Sequence, residues 1–357
     1  MRLKNIDFLR GIAVLLVLFR HIRLEPVFAR IGWVGVDLFF VLSGFLVSNL
    51  LFLEYRQRNF VRPIHFLIRR GFKIYPLYYL MIGLLYYALQ YDNVENWDNY
   101  PERLFNEVLF IQNYTYGNTL AWHTWSLAVE EHFYFVLALL IFLLAQLKLL
   151  ENTHIFNALS FLIFSAALVM RFRITQNIDF QYVDYLMPTH LRMDTLWVGV
   201  TLSYYFNFHP TRFNAFFAKK QWIYLGLIAF PIAAIGLKSW ILATFGLTTI
   251  AFCFGCTLAG VLANVEAERL LSQWFTGNIF TWIAKIGQNS YAIYLFHMMV
   301  LSFSTPFNTH GRLLLLTWQG WVNCFVAVTL SLIIGFAATQ YIEKPILKWR
   351  DRFFPNI

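Results

Sequence analysis

The strongest constraint on this chain is a series of apolar runs, each about 17 to 25 residues long, the length that crosses a hydrocarbon core as helix. They fall near residues 7–22, 33–53, 74–91, 123–147, 155–170, 182–208, 221–237, 239–264, 287–303 and 318–343. Hydrophobic residues make up 59% of the 357, charged residues only 13%. No soluble interior hides that much apolar surface, so the bilayer must solvate much of it. The sequence predicts an all-α, polytopic integral membrane bundle of about ten transmembrane helices. Arg2 and Lys4 before the first run resemble a signal peptide, but Arg20 and His21 stand where a small-residue cleavage site would lie, so a retained helix is expected.

Charge fixes the expected topology. With the N-terminus inside, inner segments hold 18 of the 28 Lys and Arg, outer segments seven, and Arg10, Arg20 and Arg192 fall within spans. The excess predicts both termini in the cytoplasm. The net charge of +9 would also suit nucleic acid, but basic residues gathered in short loops between spans set topology instead. Residues 91–100 are acidic and polar and suit an outer loop, with a short surface helix at 102–112. The division expected is a transmembrane domain over 1–343 and a short basic cytoplasmic tail over 344–357, part of it interfacial helix. Cys253 and Cys256 form a Cys-x-x-Cys on an apolar run, better read as packing than as a metal site, and no metal is expected.

A charge at the bilayer centre costs about 2.5 to 3.5 kcal/mol, so each needs a partner or a wet cavity. The spans hold Asp7, Arg10, His21, Asp37, Glu130, Glu131, His132, Arg192, Asp194 and His297. Arg10 and His21 are eleven residues apart, about 16 Å along one helix face. Asp7 could pair with Arg10 as a helix-end ion pair. Alternatively Arg10 contacts an anion low in a cavity and His21 acts as a base above it, since imidazole exchanges protons near neutral pH.

Arg10 to His21 matches the Arg-x10-His motif of the membrane-bound acyltransferase-3 family, within Ile6-Asp-Phe-Leu-Arg-Gly-Ile-Ala13. Gly35-Val-Asp-Leu-Phe-Phe-Val-Leu-Ser-Gly-Phe45 resembles that family's second-helix motif, and Thr124-Trp-Ser-Leu-Ala-Val-Glu-Glu-His-Phe-Tyr134 its Ser-Leu-x-x-Glu-x-x-Phe-Tyr motif. Arg192-Met-Asp194 with Gly199, Ser290-Tyr-Ala-Ile-Tyr-Leu-Phe-His297 and Ile342-Glu-Lys-Pro345 complete the series, and the resemblance covers nearly the whole chain. Two departures stand out. Arg70-Gly-Phe-Lys73 replaces the usual Arg-x-x-Arg, keeping charge without the planar fork. His132 stands where glutamine is common, facing either the cavity or packed neighbours.

The resemblance implies a bacterial cytoplasmic (inner) membrane O-acyltransferase that moves an acyl group, most often acetyl, from cytoplasmic acyl-coenzyme A to a hydroxyl of a sugar or cell-surface glycan. His21 would be the base or would relay the acyl group, with Asp37 or Glu130 as orienter; Asp37 could instead pair with Arg20, and Glu130 could instead bind the acceptor. Arg10, Arg69, Arg70 and Lys73 would hold the donor phosphates, although positive charge in that loop also serves topology and suits anionic lipid headgroups. Ser126, Arg192, Asp194, Ser290, Tyr291 and His297 are further cavity candidates; His297 could equally be an interhelical contact. Arg192 and Asp194, two apart on a helix, must each find another partner. Glu343-Lys-Pro345 reads as a cytoplasmic stop. The rival from another class is a transporter or flippase for a glycolipid or polar solute, with the same charges lining a translocation path.

Overall fold

The computed structural model describes residues 4–22, 30–91, 100–115, 117–177, 182–236, 240–304 and 318–355. All regular structure among them is helical. The longer helices are α1 (Lys4–Ile22), α2 (Val34–Arg58), α3 (Pro63–Tyr91), α4 (Tyr100–Val108), α5 (Trp125–Gln146), α6 (Thr153–Asn177), α7 (Met193–Phe208), α8 (Leu247–Ala263), α9 (Thr276–Gln288), α10 (Ser290–Ser304), α11 (Trp318–Ala338) and α12 (Lys344–Phe353). Six stretches are long and apolar enough to cross a membrane: 34–58, 63–89, 122–146, 153–176, 242–263 and 321–353. Segments 221–235 and 290–302 are apolar but shorter, α7 has 16 residues, and the 19 residues of α1 include Lys4, Asp7, Arg10 and Arg20.

Two expected spans change shape. The run 182–208 is not one helix. It breaks at Pro188, which lies extended at ψ 130° between a short helix over Tyr182–Leu186 and α7; proline removes an amide donor and clashes with the preceding turn. Conversely, the run taken to end at 170 continues as α6 to Asn177 and carries Arg171 into the interior, where it is fully buried. At the other end of the chain helical backbone continues across 339–343 as a π-turn into α12. That helix buries no residue and lies along α3, with Phe72 5.4 Å from Trp349 and Arg69 Nη2 2.9 Å from Asp351 Oδ1.

Small residues set the closest crossings. A Cβ at Gly44 of α2 would strike the Leu196 carbonyl of α7, and one at Gly199 of α7 would strike the Val41 carbonyl of α2. Gly11 of α1 and Gly287 of α9 meet backbone in the same way. Without a Cβ the helix backbones touch, which is how helices associate when lipid supplies no hydrophobic drive between them. The α1–α2–α7–α9 core then holds the polar face of α1 against α10.

On the α4 side, Glu107 is fully buried. It accepts from Ala121 N–H at 2.9 Å, Thr124 Oγ1–H at 2.9 Å and Tyr78 Oη–H at 2.7 Å. Burial pushes its carboxyl above the usual range, and these three donors pull the other way. The cluster ties α4 to α3 and to the turn that opens α5.

Candidate active site

α1 and α10 run alongside each other and in the same direction, because Arg10 meets Ser290 and His21 meets His297. Arg10 donates from Nε and Nη2 to Ser290 Oγ at 3.2 and 3.1 Å. At the other end His21 Nδ1 lies 3.0 Å from His297 Nε2. The two motif residues of α1 are therefore each held by a residue of the Ser290–His297 motif, seven positions or about two turns apart.

Two cavities flank this pair of helices. The first, about 100 Å³, is lined by Arg10, Arg70, Lys73, Ser126, Glu130, Ser290 and Tyr291 among others. The second, about 190 Å³, is lined by Arg20, His21, Asp37, Trp122, His123 and Arg192 among others. Val36 and Tyr294 line both. Tyr294 is pinned as a partition: its Oη donates to the His123 carbonyl at 2.5 Å and lies 2.6 Å from Ser126 Oγ. That carbonyl can only accept, so the Ser126 hydroxyl is left to donate to Tyr294 Oη.

The cation cavity has more positive than negative charge. Arg70 lies over the Tyr134 ring, 4.6 Å from its centroid, and its Nε has no hydrogen-bond partner. Glu130 accepts from Tyr134 Oη at 2.7 Å, and Tyr134 Oη also bonds Ser43. Lys73 pairs with Glu343 of the π-turn, so the Ile342-Glu-Lys-Pro345 motif is a partner of α3 as well as a chain landmark. Arg69 takes no part in this cavity. It binds Asp351 and the Phe354 carbonyl, both next to or on α12. Tyr291 lines the cavity and donates to the Ile74 carbonyl at 2.6 Å.

In the histidine cavity neither candidate carboxylate meets His21 Nδ1. Asp37 Oδ1 receives Arg192 Nη2 at 2.6 Å, while His21 Nδ1 faces His297, and Glu130 lies in the other cavity. Neither carboxylate is therefore the group that meets His21 Nδ1. The ring that meets it is His297. Its Nδ1 meets the Tyr294 carbonyl, which accepts only, so Nδ1 carries the proton and neutral Nε2 is an acceptor. His21 must then donate from Nδ1, which leaves the lone pair of neutral His21 on Nε2. His123 is fixed in the same manner, with Nε2 3.1 Å from the Leu295 carbonyl. It escaped sequence analysis because it immediately precedes the Thr124 motif and reads as a span boundary.

Arg192 and Asp194 do point apart. Arg192 holds Asp37, and Asp194 pairs with Arg171 and accepts from Thr248 Oγ1 at 2.6 Å. Arg171 also donates to the Leu191 carbonyl at 2.9 Å and the Thr244 carbonyl at 3.0 Å. Asp194 thus lies outside both cavities, in a structural ion pair. His132 is packed rather than cavity-lining, with Nδ1 2.8 Å from Thr189 Oγ1. Asp7 receives Gln288 Nε2 at 3.1 Å. Among the described residues no cluster of three His, Cys, Asp or Glu is arranged to hold a metal ion.

Comparison with known proteins gives this geometry a family. The chain is 27% identical to a Staphylococcus aureus (strain MRSA252) protein named putative O-acetyltransferase, over 99% of this chain and 59% of that protein. It is 26% identical to peptidoglycan O-acetyltransferase OatA of Listeria monocytogenes, over 96% of this chain and 56% of that one. It therefore spans under three fifths of the length of these relatives. No solved structure matches. The family model described as acyltransferase domain matches residues 3–340, and on that coverage the chain belongs to this acyltransferase family.

Proposed function

We propose that this chain is an integral membrane O-acyltransferase, with both termini in the cytoplasm of a bacterium and the bundle in its inner membrane. It takes acyl, in the first instance acetyl, from cytoplasmic acyl-coenzyme A and places it on a hydroxyl of a sugar or cell-surface glycan. The observation that carries this reading is the pair of cavities meeting at Tyr294, one rich in cations and one lined by His21. Phosphates are anions that guanidinium and ammonium groups recognise. A hydroxyl nucleophile needs a base that exchanges protons near neutrality.

In this reading Arg10, held by Ser290, and Arg70, held over Tyr134, draw the donor in, and its acyl end reaches the Tyr294 partition. The acceptor hydroxyl gives its proton to His21 Nε2 as its oxygen bonds to the acyl carbonyl carbon. The carbon–sulfur bond breaks, and the departing thiolate takes the proton back from the imidazolium. His297 holds His21 in the tautomer that leaves Nε2 basic. The relatives described above are named for O-acetyl transfer, the Listeria protein to peptidoglycan, which supports acetyl as the group and a glycan as the acceptor.

The test is transfer of radiolabel from acetyl-coenzyme A to glycan by the full chain in liposomes, with mass spectrometry of surface polysaccharide from cells with and without the gene. Label on glycan and a missing acetyl in the deletion are expected. Solute or glycolipid movement without label transfer would overturn the reading in favour of a transporter.

A further inference from the structure

The cation cavity, about 100 Å³, is too small for the nucleotide end of coenzyme A, since pockets for ligands of that size run from about 300 to 1,000 Å³. A third cavity meets that requirement. It is a groove of about 570 Å³ that shares Lys73 with the cation cavity and is lined also by Lys285, Lys344, Thr339, Gln340 and Tyr341. We propose that this groove, between the end of α9 and the π-turn that joins α11 to α12, binds the phosphorylated nucleotide of the donor. The assignment rests on acyl-coenzyme A being the donor.

Three observations converge there. Lys285 and Lys344 bring positive charge, and neither has a carboxylate ion-pair partner among the described residues: Lys344 Nζ donates to the neutral Gln340 at 2.6 Å, and Lys285 lies 4.9 Å from the Trp282 ring centroid. Thr339, 3% exposed, lines the groove with a hydroxyl that has no hydrogen-bond partner. A buried orphan donor of that kind is costly, and an acceptor such as a phosphate oxygen would relieve it. The turn that carries it, Thr339–Glu343, is π-helical, a widened turn that recurs at functional sites.

Glu343 also lines the groove. One oxygen holds Lys73, and Oε2 is unpartnered. A carboxylate oxygen repels phosphate but accepts from an amino group or a ribose hydroxyl, so the site suits a nucleotide better than a bare polyanion. Tyr341, 78% exposed at the rim, offers a ring on which a base can stack. From the groove the donor's arm would pass the Lys73–Glu343 pair to reach Arg10 and Arg70.

Phosphate esters also come as lipid headgroups, and the experiment separates the two sources. Coenzyme A and dephospho-coenzyme A are titrated calorimetrically into the full chain in phosphatidylcholine nanodiscs, with no acceptor present. Lys285→Ala/Lys344→Ala is expected to weaken coenzyme A by about tenfold or more, from the strength of charged hydrogen bonds, and to narrow its advantage over dephospho-coenzyme A. Lys285→Arg/Lys344→Arg is expected to bind coenzyme A within a few-fold of the native chain. Native-like coenzyme A binding by the Ala pair, or equal loss in the Arg pair, overturns the groove assignment alone. No binding by the native chain overturns the donor reading with it. If phosphatidylglycerol nanodiscs suppress coenzyme A binding in the native chain and not in the Ala pair, the groove is a lipid-headgroup site.

Discussion

Around the histidine cavity, buried ions meet each other: Arg192 holds Asp37, and behind them Arg171 holds Asp194. Around the cation cavity, among the described residues, only Lys73 has a carboxylate partner, Glu343, while Arg10 rests on the Ser290 hydroxyl and Arg70 on the Tyr134 ring. The first arrangement closes charge within the protein and fixes shape. The second leaves an excess of positive charge, a state that is costly to maintain and useful when an anionic ligand arrives. Substitutions in the two walls should therefore fail in different ways.

The largest effect is expected where a paired ion loses its partner. Asp37→Asn leaves Arg192 buried without a counter-ion and should lower stability by about 3 to 5 kcal/mol, read as early thermal unfolding in detergent. Asp37→Leu/Arg192→Met should recover most of that loss, because replacing both members by apolar groups is often nearly neutral. A stable single variant would mean the ions are solvated through the cavity.

Next comes the histidine relay. His297→Phe keeps a ring and removes the acceptor that sets the tautomer of His21. The kcat for transfer should fall by about 10²-fold or more, the scale of general-base catalysis, while the KM for acyl-coenzyme A holds. Its pH–rate profile should also move, which lost packing alone would not cause. Equal loss in kcat and donor affinity would assign His297 to structure.

In the cation wall, Arg70→Gln should weaken coenzyme A by about tenfold, with little change in thermal stability. The smallest effect belongs to its neighbour. Arg69→Ala should leave coenzyme A affinity unchanged and cost at most about 1 kcal/mol of stability, since its Asp351 partner is half exposed. If Arg69 governs donor affinity as strongly as Arg70, the boundary drawn between cavity and tail contact is wrong.

Much of this was legible before any coordinates. Apolar runs announced the bundle, and the Arg10 and His21 spacing placed a guanidinium and an imidazole three turns apart on one helix. The pairing of charges was not legible, because partners such as Asp37 and Arg192 are 155 positions apart and sequence shows only that each needs one. Arg171 lies just beyond the apolar run that ends at 170, yet the helix continues and its guanidinium is satisfied inside the protein. Arg69, Arg70 and Lys73 read as one cluster, yet helical rotation sends Arg69 to α12 and the other two to the cavity. His297 was visible as a residue; its role follows from which of its nitrogens meets a carbonyl.

The central claim is that His21 is the base and Arg10 and Arg70 serve the donor. His21→Ala in the purified full chain, with acetyl transfer and coenzyme A affinity measured on one preparation, tests it most directly. The predicted result is a loss of transfer of about 10² to 10⁴-fold with coenzyme A affinity unchanged. Transfer near the native rate, or affinity lost together with activity, would contradict it.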